Sequence, residues 1–323
     1  MSVTSIILLL ALGQQPATPP APQAKPGAAT PTDALALQVA LDRAGFSPGV
    51  LDGRSGGNTK KALDAHVNAL GAEPAAIEPT SKYRITEADA AGPFEANIPS
   101  DLAEQAKLQS LNYRDLREAL AERFHATPAL LQRLNPKAQF VAGEDIVVPN
   151  VDPMVIPVTP PKTETKPTPA EKKAEAQAAQ QAVKEKPAVT VTVTKSTSAL
   201  TVTDAGGKVI MYAPVTTGSE RDPLPIGDWK VNGVALNPVF RYNPELFWDA
   251  DPTHTKSVIP AGPNNPVGLV WIDISKEHYG LHGSPEPSNI GRSESHGCVR
   301  LTNWDALRLA AMVKPGTPVV FRP

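Results

Sequence analysis

The chain has 323 residues and a formal net charge of −2. Acidic and basic residues are nearly balanced, so a nucleic-acid partner is not indicated. Its length predicts two to three domains, and 35 prolines with only 5% aromatic residues indicate compact units joined by extended segments. A single cysteine, Cys298, excludes a disulfide bond within the chain.

The first thirteen residues, MSVTSIILLLALG, contain an apolar run too short for a membrane-spanning helix, which needs ~20 residues. The run has the length of a signal-peptide core, although no Lys or Arg precedes it, and Ala11-Leu12-Gly13 offers a cleavage site. We expect residues 1–13 to direct export to the periplasm or cell envelope, and the Pro/Ala-rich residues 14–32 to be disordered. A frayed apolar N-terminus of a cytosolic protein is the alternative, and no later segment reads as a membrane anchor.

Residues 33–75 are predicted to form a helix–loop–helix. Apolar residues recur at helical spacing on both sides of a Gly-rich loop, at Leu37, Leu41, Ala62, Leu63, Val67 and Leu70. Asn58 or Thr59 is expected to cap the second helix. With its turn at Gly45, the stretch LQVALDRAGFSPGVLDGRSGGNTKKALDAHV resembles the small peptidoglycan-binding domain that accompanies many cell-wall enzymes. A generic helical hairpin is the alternative.

Residues 82–151 carry a second predicted unit, of mixed α and β structure. Two helices, over 116–124 and 128–134, precede a turn at Gly143 and a strand in EDIVVPN. This order resembles the C-terminal two thirds of a LysM module, which binds the N-acetylglucosamine chains of cell walls. The stretch YRITEADAAGPF is the candidate for the opening strand, followed by an insertion up to Asn112. A structural spacer domain is the alternative.

Residues 152–187 are a predicted linker, rich in Pro, Thr, Lys and Ala, which cannot bury a core and would suit a tethered catalytic unit. Residues 188–323 are predicted to be rich in β structure. The stretches VTVTVT, ALTVTD and KVIMYAP alternate with period two or flank a Gly-Gly turn, and DWKVNGV, GLVWIDI and TPVVF supply further strands.

One late helix, WDALRLAAMV, is predicted in this last domain, with Asn303 as its N-cap. Its expected inward-facing residues are Trp304, Leu307, Ala311 and either Ala310 or Met312. The predicted fold is therefore multidomain. A mainly β catalytic domain, a β-sandwich or barrel with one late helix, follows a small α-helical unit and an α+β module.

The sequence SHGCVR, residues 295–300, surrounds the cysteine with polar residues and glycine. A thiol reacts as the thiolate, and an ordinary cysteine with a pKa of ~8.5 needs a nearby base at neutral pH. His296 lies two residues before Cys298 and would project alongside the sulfur rather than toward it. His282 lies sixteen residues before it, across a Gly/Pro/Ser-rich loop that can bring it to the sulfur from an adjacent strand.

Two other uses of the cysteine remain open on the residues alone. A lone cysteine is often a small buried apolar residue, although the polar, glycine-flanked setting argues against that here. Zinc is the second alternative, because three histidines and the cysteine could be ligands: His278, His282, His296 and Cys298. Only the first two have a regular spacing, so we predict no metal site.

The stretch HGSPEPSNIGRSESHGCVRLTNWDA resembles the signature of L,D-transpeptidases with a YkuD-type catalytic domain: His-Gly, a spacer, then Ser-His-Gly-Cys. DPLPIGDWKV is similar to the family's Thr-Pro-x-Gly hairpin, with Asp222 where threonine is common. IPAGPNNPVGLVWIDI is similar to its Gly-Pro-x-Asn-Pro-x-Gly segment. The resemblance covers about residues 189–321 and implies a cysteine acyltransferase without a cofactor.

The resemblance also implies roles for five residues of the signature. Cys298 would be the nucleophile and His282 the base, with the carbonyl of Gly283 orienting the histidine ring. His296 and Gly297 would shape the oxyanion side of the site.

Substrate contacts are expected from Ser295 and Arg300, the latter standing where one branch of the family has asparagine. The stretch NPVFRYNPELFWDADPTHTK is interpreted as an insertion whose aromatic residues, Tyr242 and Trp248 among them, wall the substrate groove. Packing of these aromatic residues on the sheet is an equal alternative.

The implied reaction is acyl transfer on peptidoglycan stem tetrapeptides. The cysteine would attack the carbonyl before the terminal D-Ala, and an amine would then take the acyl group, giving a 3→3 cross-link or protein attachment. A thiol carboxypeptidase that trims the same stems, and a non-catalytic peptidoglycan-binding scaffold, are the alternatives. Peptidoglycan is the expected partner, and the chain is expected to be a monomer.

Overall fold

The computed structural model describes residues 31–156 and 186–323. The predicted signal peptide, nearly all of the Pro/Ala-rich segment and most of the predicted linker lie outside these residues. No helix in the described ranges is long and apolar enough to cross a membrane. The elements of residues 31–156 are α1 (Pro31–Arg43), α2 (Gly57–Leu70), β1 (Thr80–Arg84), α3 (Glu87–Ala90), α4 (Leu102–Gln105), α5 (Leu116–Arg123), α6 (Pro128–Leu134) and β2 (Asp145–Pro149).

Helices α1 and α2 form the predicted helix–loop–helix. α2 begins after Gly56, which provides no side-chain cap, so the expectation that Asn58 or Thr59 caps this helix is wrong. Asn58 instead donates a hydrogen bond from Nδ2 to the carbonyl oxygen of Ile290, 3.0 Å away in the β-rich domain. The apolar stripe of α2 is also narrower than predicted, because Val67 and Leu70 are exposed.

The second unit is built on a pair of strands at its two ends. β1 starts three residues before the candidate stretch YRITEADAAGPF and pairs antiparallel with β2 along its whole length. α6 has a strong start signal: the side chain of Thr127 accepts from the amide of Leu130 (3.0 Å), and Pro128 follows at the first helical position. One core joins this unit to α1 and contains Leu35, Val39, Leu120, Phe124, Leu131, Ile146 and Val148.

The β-rich domain consists of one large sheet, a small two-stranded sheet and a helix. Its elements are β3 (Val189–Thr194), β4 (Ala199–Asp204), β5 (Val209–Pro214), β6 (Gly227–Leu236), β7 (Phe240–Tyr242), β8 (Ser257–Ile259), β9 (Val270–Ile274), β10 (Gly280–His282), β11 (Val299–Arg300), α7 (Asn303–Met312) and β12 (Pro318–Arg322). The large sheet has the order β11-β10-β9-β6-β12-β3-β4-β5. The β10–β11 and β12–β3 pairs are parallel, and the other pairs are antiparallel.

The β-rich domain is mainly β with one late helix, as the sequence predicts. Its eight strands are linked in hydrogen-bonding order, and β6 pairs with β12 through its first half and with β9 through its second. The sheet curls around one core, in which apolar side chains from all eight strands meet those of α7. Period-two alternation predicts which face of a strand is buried, and it does not tell one curled sheet from two stacked sheets.

Helix α7 follows the cysteine motif directly. Its N-cap is Thr302, whose Oγ1 accepts from the amide of Asp305 (3.2 Å), so the expectation that Asn303 caps the helix is wrong by one residue. Asn303 is fully buried instead. The inward-facing residues are Trp304, Ala306, Leu309 and Ala310, whereas the predicted Ala311 is exposed.

The N-terminal units contact α7 through buried polar groups. Ser47 Oγ donates to Asp305 Oδ2 (2.8 Å), and Asn303 Nδ2 donates to Glu122 Oε1 (2.7 Å). An ion pair joins Arg308 to Asp42 of α1 (3.0 Å). The described parts of the chain are therefore packed together rather than held apart.

The outermost strand of the large sheet, β5, also meets the N-terminal helix–loop–helix. The backbone of the loop after α1 pairs with it: Tyr212 N donates to Gly45 O, and Ser47 N donates to Tyr212 O, both at 2.9 Å. Phe46 is buried between them in a small core with Leu41, Ala62 and Tyr212. The N-terminal loop thus continues the sheet by one short bridge.

Candidate active site

Cys298 and His282 lie on neighbouring strands of the sheet. Cys298 immediately precedes β11, and His282 is the last residue of β10, which runs parallel to β11. In the register of this pair His282 stands opposite Arg300, two residues after the cysteine. The parallel pairing of β10 and β11 therefore brings His282 and Cys298, sixteen residues apart in the sequence, onto neighbouring strands.

The Cys298 thiol is half-buried. Its Sγ contacts the carbonyl oxygen of His278 (3.7 Å), rather than the His282 ring. Burial raises the pKa of the thiol, while a backbone hydrogen bond from Gly280 and the charge of Arg300 act in the opposite direction. At neutral pH the resting cysteine is therefore a thiol and not a thiolate.

The His282 ring is buried, with 4% of its surface exposed. Its Nδ1 lies 2.7 Å from the carbonyl oxygen of Gly283, and since a carbonyl can only accept, Nδ1 carries the proton. Burial, and after it the charge of Arg300, lowers the pKa of His282 to about 3. The ring also stacks on Trp271 of β9, with centroids 5.5 Å apart. The result is a neutral, fixed imidazole whose Nε2 is a free base.

Gly283 is held from behind by Asn303. A Cβ added at Gly283 would lie 2.1 Å from Asn303 Oδ1, so only glycine fits between His282 and this amide. The same oxygen accepts from the amide of Leu269 (2.9 Å), which fixes which end of the Asn303 side chain is oxygen. The carbonyl that orients His282 thus rests on a buried side chain of α7.

Gly297 adopts a φ of 103°, a conformation that favours glycine. A Cβ at this position would also meet the Tyr279 ring at 2.6 Å, so the ring lies directly over the residue before the cysteine. Burial, and after it the nearby Cys298, raises the pKa of Tyr279. Tyr279 is therefore a wall of the site that the sequence did not predict.

Ser295, a predicted substrate contact, lies inside the turn of the motif. Its side chain is buried, and its hydroxyl donates to the carbonyl oxygen of Cys298 (2.6 Å), which closes a turn over the motif. Its amide donates to Thr217 O (3.0 Å), in a loop that also bridges Arg300 through Thr216. Ser295 therefore shapes the backbone around the cysteine and has no hydroxyl hydrogen left for a ligand.

His296 points away from the sulfur, toward the predicted aromatic insertion. Its Nε2 lies 2.9 Å from Asp249 Oδ1, and its ring packs on Phe247 and Trp248 with centroids 5.3 and 5.8 Å apart. The side chain thus fastens the insertion to the motif. Whatever His296 contributes to an oxyanion site has to come from its backbone.

The two aromatic residues predicted to contact substrate differ in exposure. Trp248 is 53% exposed, and the guanidinium of Arg221 lies over its ring at 4.0 Å from the centroid. Tyr242 is 3% exposed, and its hydroxyl is hydrogen-bonded to His254 Nδ1 (3.1 Å). Tyr242 therefore packs in the core of the insertion, the arrangement that the packing alternative expects.

Arg300 is half-buried beside the cysteine and the histidine. Within residues 31–156 and 186–323 its guanidinium forms no ion pair and no side-chain hydrogen bond, although Glu286 lies near enough to act on its charge. Its main chain is fixed by two hydrogen bonds to Thr216, of 2.9 and 3.1 Å. A cation with no ion-pair partner among the described residues therefore lies close enough to the thiol to act on its charge.

Two cavities lie between the N-terminal units and the β-rich domain, and neither is lined by Cys298. The first, about 260 Å³, lies between α5, α6 and residues 285–289, and the second, about 200 Å³, lies beside Trp304. Across the described ranges, no group of three or more His, Cys, Asp or Glu side chains is arranged to hold a metal ion.

Sequence reasoning missed three residues that build the site: Tyr279, Trp271 and Asn303. Tyr279 lies in the stretch YGLHG, three residues before His282, and no spacing rule assigns a role to a tyrosine at that position. Trp271 is found only through the β9–β10 register, in which it stands opposite His282. Asn303 was seen as a helix cap, the more common use of asparagine at that position.

A family model of the L,D-transpeptidase catalytic domain, YkuD, matches residues 188–321. Among curated proteins, three relatives named as L,D-transpeptidases are similar to this chain. YkuD of Bacillus licheniformis is 48% identical over 61 residues, which are 19% of this chain and 37% of that protein. YkuD of Bacillus subtilis is 25% identical over 210 residues, which are 64% of this chain and 93% of that protein.

The third relative, YqjB of Bacillus subtilis, is 30% identical over 136 residues, which are 41% of this chain and 69% of that protein. Among solved structures, an L,D-transpeptidase from Mycobacterium smegmatis matches with a TM-score of 0.34 and 20% identity. That match covers 42% of this chain and 59% of the other. The chain thus spans less than two thirds of that structure and of the first relative.

Proposed function

Because the chain belongs to the L,D-transpeptidase family of acyltransferases, we propose that it transfers acyl groups of peptidoglycan stem peptides through Cys298. His282 is the base. The observation that carries the proposal is the hydrogen bond from His282 Nδ1 to Gly283 O (2.7 Å), which leaves Nε2 as a proton acceptor on the strand beside the cysteine.

In the first half-reaction, His282 Nε2 takes the thiol proton while Sγ attacks the carbonyl carbon between the L-centre of the third residue and the terminal D-Ala. The directions of the two pKa values mean that the resting pair is neutral, so the proton moves as the sulfur attacks. Collapse of the tetrahedral intermediate breaks the C–N bond, and the amine of D-Ala leaves with the proton from His282. A thioester on Cys298 remains.

In the second half-reaction, an amine from another stem peptide or from a protein attacks the thioester. His282 accepts a proton from that amine, and the C–S bond breaks as the proton returns to Sγ. The products are a new amide and the free thiol. The second candidate reaction, trimming by a thiol carboxypeptidase, differs only in that water is the acceptor.

Arg300 is the proposed substrate contact. Its half-buried guanidinium has no ion-pair partner in the described ranges and lies close enough to Cys298 for their charges to interact. A guanidinium binds a carboxylate through two parallel hydrogen bonds, and a stem peptide offers carboxylates near the scissile bond. Trp248, exposed and stacked under Arg221, is the proposed wall of the groove.

The N-terminal units are proposed to bind peptidoglycan, and the chain to be exported to the envelope. Support comes from the paired strands β1 and β2 at the two ends of the second unit and from α5 and α6, which precede β2, an order similar to that of a LysM module. The substrate itself lies in the cell wall, which supports export. A non-catalytic binding scaffold is disfavoured, because both the thiol and its base are in place.

We expect Cys298→Ala and Cys298→Ser to abolish transfer while the protein stays folded, because each variant removes only the sulfur. His282→Gln should lower kcat by ~10²–10⁴-fold, the usual contribution of a general base. The measurement is mass spectrometry of products from a donor tetrapeptide with and without an amine acceptor, with circular dichroism as the folding control. Activity that persists in Cys298→Ala would contradict the proposal, and hydrolysis alone in the unchanged protein would favour the carboxypeptidase.

A further inference from the structure

Glu122, the penultimate residue of α5, is buried against the β-rich domain. Its Oε1 accepts a hydrogen bond from Asn303 Nδ2 at 2.7 Å, the only hydrogen bond between side chains that Asn303 makes within the described ranges. The second acceptor of the same Nδ2, the carbonyl oxygen of Pro263, is farther away at 3.2 Å. Glu122 therefore supplies the shorter of the two bonds that hold the nitrogen end of this amide.

The oxygen end of the Asn303 amide is wedged between two glycines. A Cβ added at Gly268 or at Gly283 would lie 2.1 Å from Oδ1 in each case. Close packing of this kind transmits displacement, because no empty space can absorb it. A rotation of the Asn303 side chain would therefore push on the peptide of Gly283.

The carbonyl oxygen of Gly283 accepts the hydrogen bond from His282 Nδ1, with 2.7 Å between the oxygen and the nitrogen. The amide of Gly283 is tied to Val270 O at 3.1 Å, so the peptide is fixed on one side by the sheet and on the other by Asn303. The path from the N-terminal unit to the base thus runs through three contacts: Glu122 to Asn303, Asn303 to Gly283, and Gly283 to His282.

We propose that Glu122 is a positioning residue for the base, through which the N-terminal unit holds His282 in the orientation that acyl transfer requires. This inference rests on the proposed roles of Cys298 and His282. It assigns to the N-terminal unit a part in the chemistry, in addition to any binding of the cell wall.

The protonation of Glu122 decides which substitution mimics it. Burial raises the pKa of Glu122 to about 8, so at neutral pH the side chain is a neutral acid that accepts from Asn303. Glutamine has the same shape and also accepts through its carbonyl oxygen. Glu122→Gln is therefore the conservative variant, and Glu122→Met, of similar length, removes the acceptor.

The test measures two properties of the full-length protein: steady-state transfer from a donor tetrapeptide to an amine acceptor, and the pH profile of Cys298 alkylation by iodoacetamide. The single cysteine makes the second measurement specific. In Glu122→Met we expect kcat to fall by ~10–100-fold with KM within about twofold, since small misplacements of a catalytic group have effects of this size. Alkylation at neutral pH should slow by a similar factor, because His282 accepts the thiol proton as the sulfur attacks the reagent.

Two controls separate positioning from general damage to the interface. Glu122→Gln should stay within about twofold of the unchanged protein in both measurements. Ser47→Ala removes a different bond between the N-terminal unit and α7, the one to Asp305, and should leave alkylation unchanged. If Glu122→Met does not fold, Glu122→Asp decides, because the shorter side chain draws the carboxyl back from Asn303.

Transfer and alkylation that are both unchanged in Glu122→Met, or in Glu122→Asp where the former does not fold, would overturn the inference. So would equal losses in Ser47→Ala, or a lower kcat with an unchanged alkylation profile, since each indicates a structural effect away from the base. These outcomes are distinct from failure of the proposed function, which activity in Cys298→Ala would reveal.

Discussion

At the scale of single residues, the site is defined by a base that is kept neutral. His282 is buried, donates through Nδ1 to Gly283 and lies beside the cation of Arg300, and these surroundings lower its pKa to about 3. The Cys298 thiol has its pKa raised by burial. The pair is therefore neutral at rest, and in the proposed mechanism the histidine takes up a proton only as the sulfur attacks.

The lowered pKa of His282 predicts a dependence of stability on pH. Between about pH 6.5 and pH 3 the unfolded chain binds a proton at this residue that the folded chain does not bind, so stability falls as the pH falls. From pH 7 to pH 5 the loss from this residue is about 2 kcal/mol. Urea unfolding at both pH values should show that loss in the unchanged protein and not in His282→Gln. Equal losses in the two proteins would contradict the prediction.

The sequence singles out the proposed nucleophile and base, Cys298 and His282, because the motif places them at a recognisable spacing, and the structure puts them on neighbouring strands. The roles of the neighbours could not be predicted, since they depend on where a side chain points. Ser295 uses its hydroxyl inside the turn, and His296 points to Asp249 rather than toward a substrate. The Tyr279 ring reaches the site by lying over Gly297, and no periodic pattern of residues in the sequence predicts that contact.

At the scale of secondary-structure elements, α7 is the part that joins the motif to the rest of the protein. It follows the cysteine strand and is held by a fully buried carboxylate, Asp42, which bonds Arg308 (3.0 Å) and His125 (3.1 Å). Burial alone would raise the pKa of Asp42, but these two partners lower it to about 2. The periodicity of α1 and α7 predicts both helices and says nothing of this contact, because buried charges break the apolar pattern.

We expect Asp42→Ala to lower the free energy of unfolding by about 3–5 kcal/mol, since it leaves the buried His125 and the partly buried Arg308 without their acceptor. The matched control is Asp145→Ala, which removes an exposed pair with Arg84 at 3.4 Å and should change stability by less than about 1 kcal/mol. Chemical denaturation of both variants is the measurement. Similar small losses in the two would show that Asp42 does not hold α7.

At the scale of the whole molecule, the described units pack as one body through apolar and polar contacts across their interface. The sequence predicts three separate units from shifts in composition, and it identifies their longer helices and most of their strands. It does not predict that they pack together, because the contacts join residues far apart in the sequence, such as Phe46 with Tyr212 and Glu122 with Asn303.

Packing of this kind predicts a single unfolding transition. All four tryptophans lie between residues 229 and 304, so their fluorescence reports on the β-rich domain, while four of the longer helices, α1, α2, α5 and α6, dominate the circular dichroism at 222 nm. In urea the two signals should change with the same midpoint. Two separated midpoints would show that the units unfold independently.

The bridge between β5 and the loop after α1 has a consequence for the behaviour of many copies of the protein together. An outermost strand with free amide and carbonyl groups recruits strands from other molecules and starts intermolecular β-sheets. Here Tyr212 of β5 already exchanges two hydrogen bonds with Gly45 and Ser47. At the opposite end of the sheet, Arg300 of β11 exchanges two with Thr216. Each margin of the sheet thus has one residue paired with the protein's own backbone, which leaves fewer free groups there for pairing with the strands of another copy.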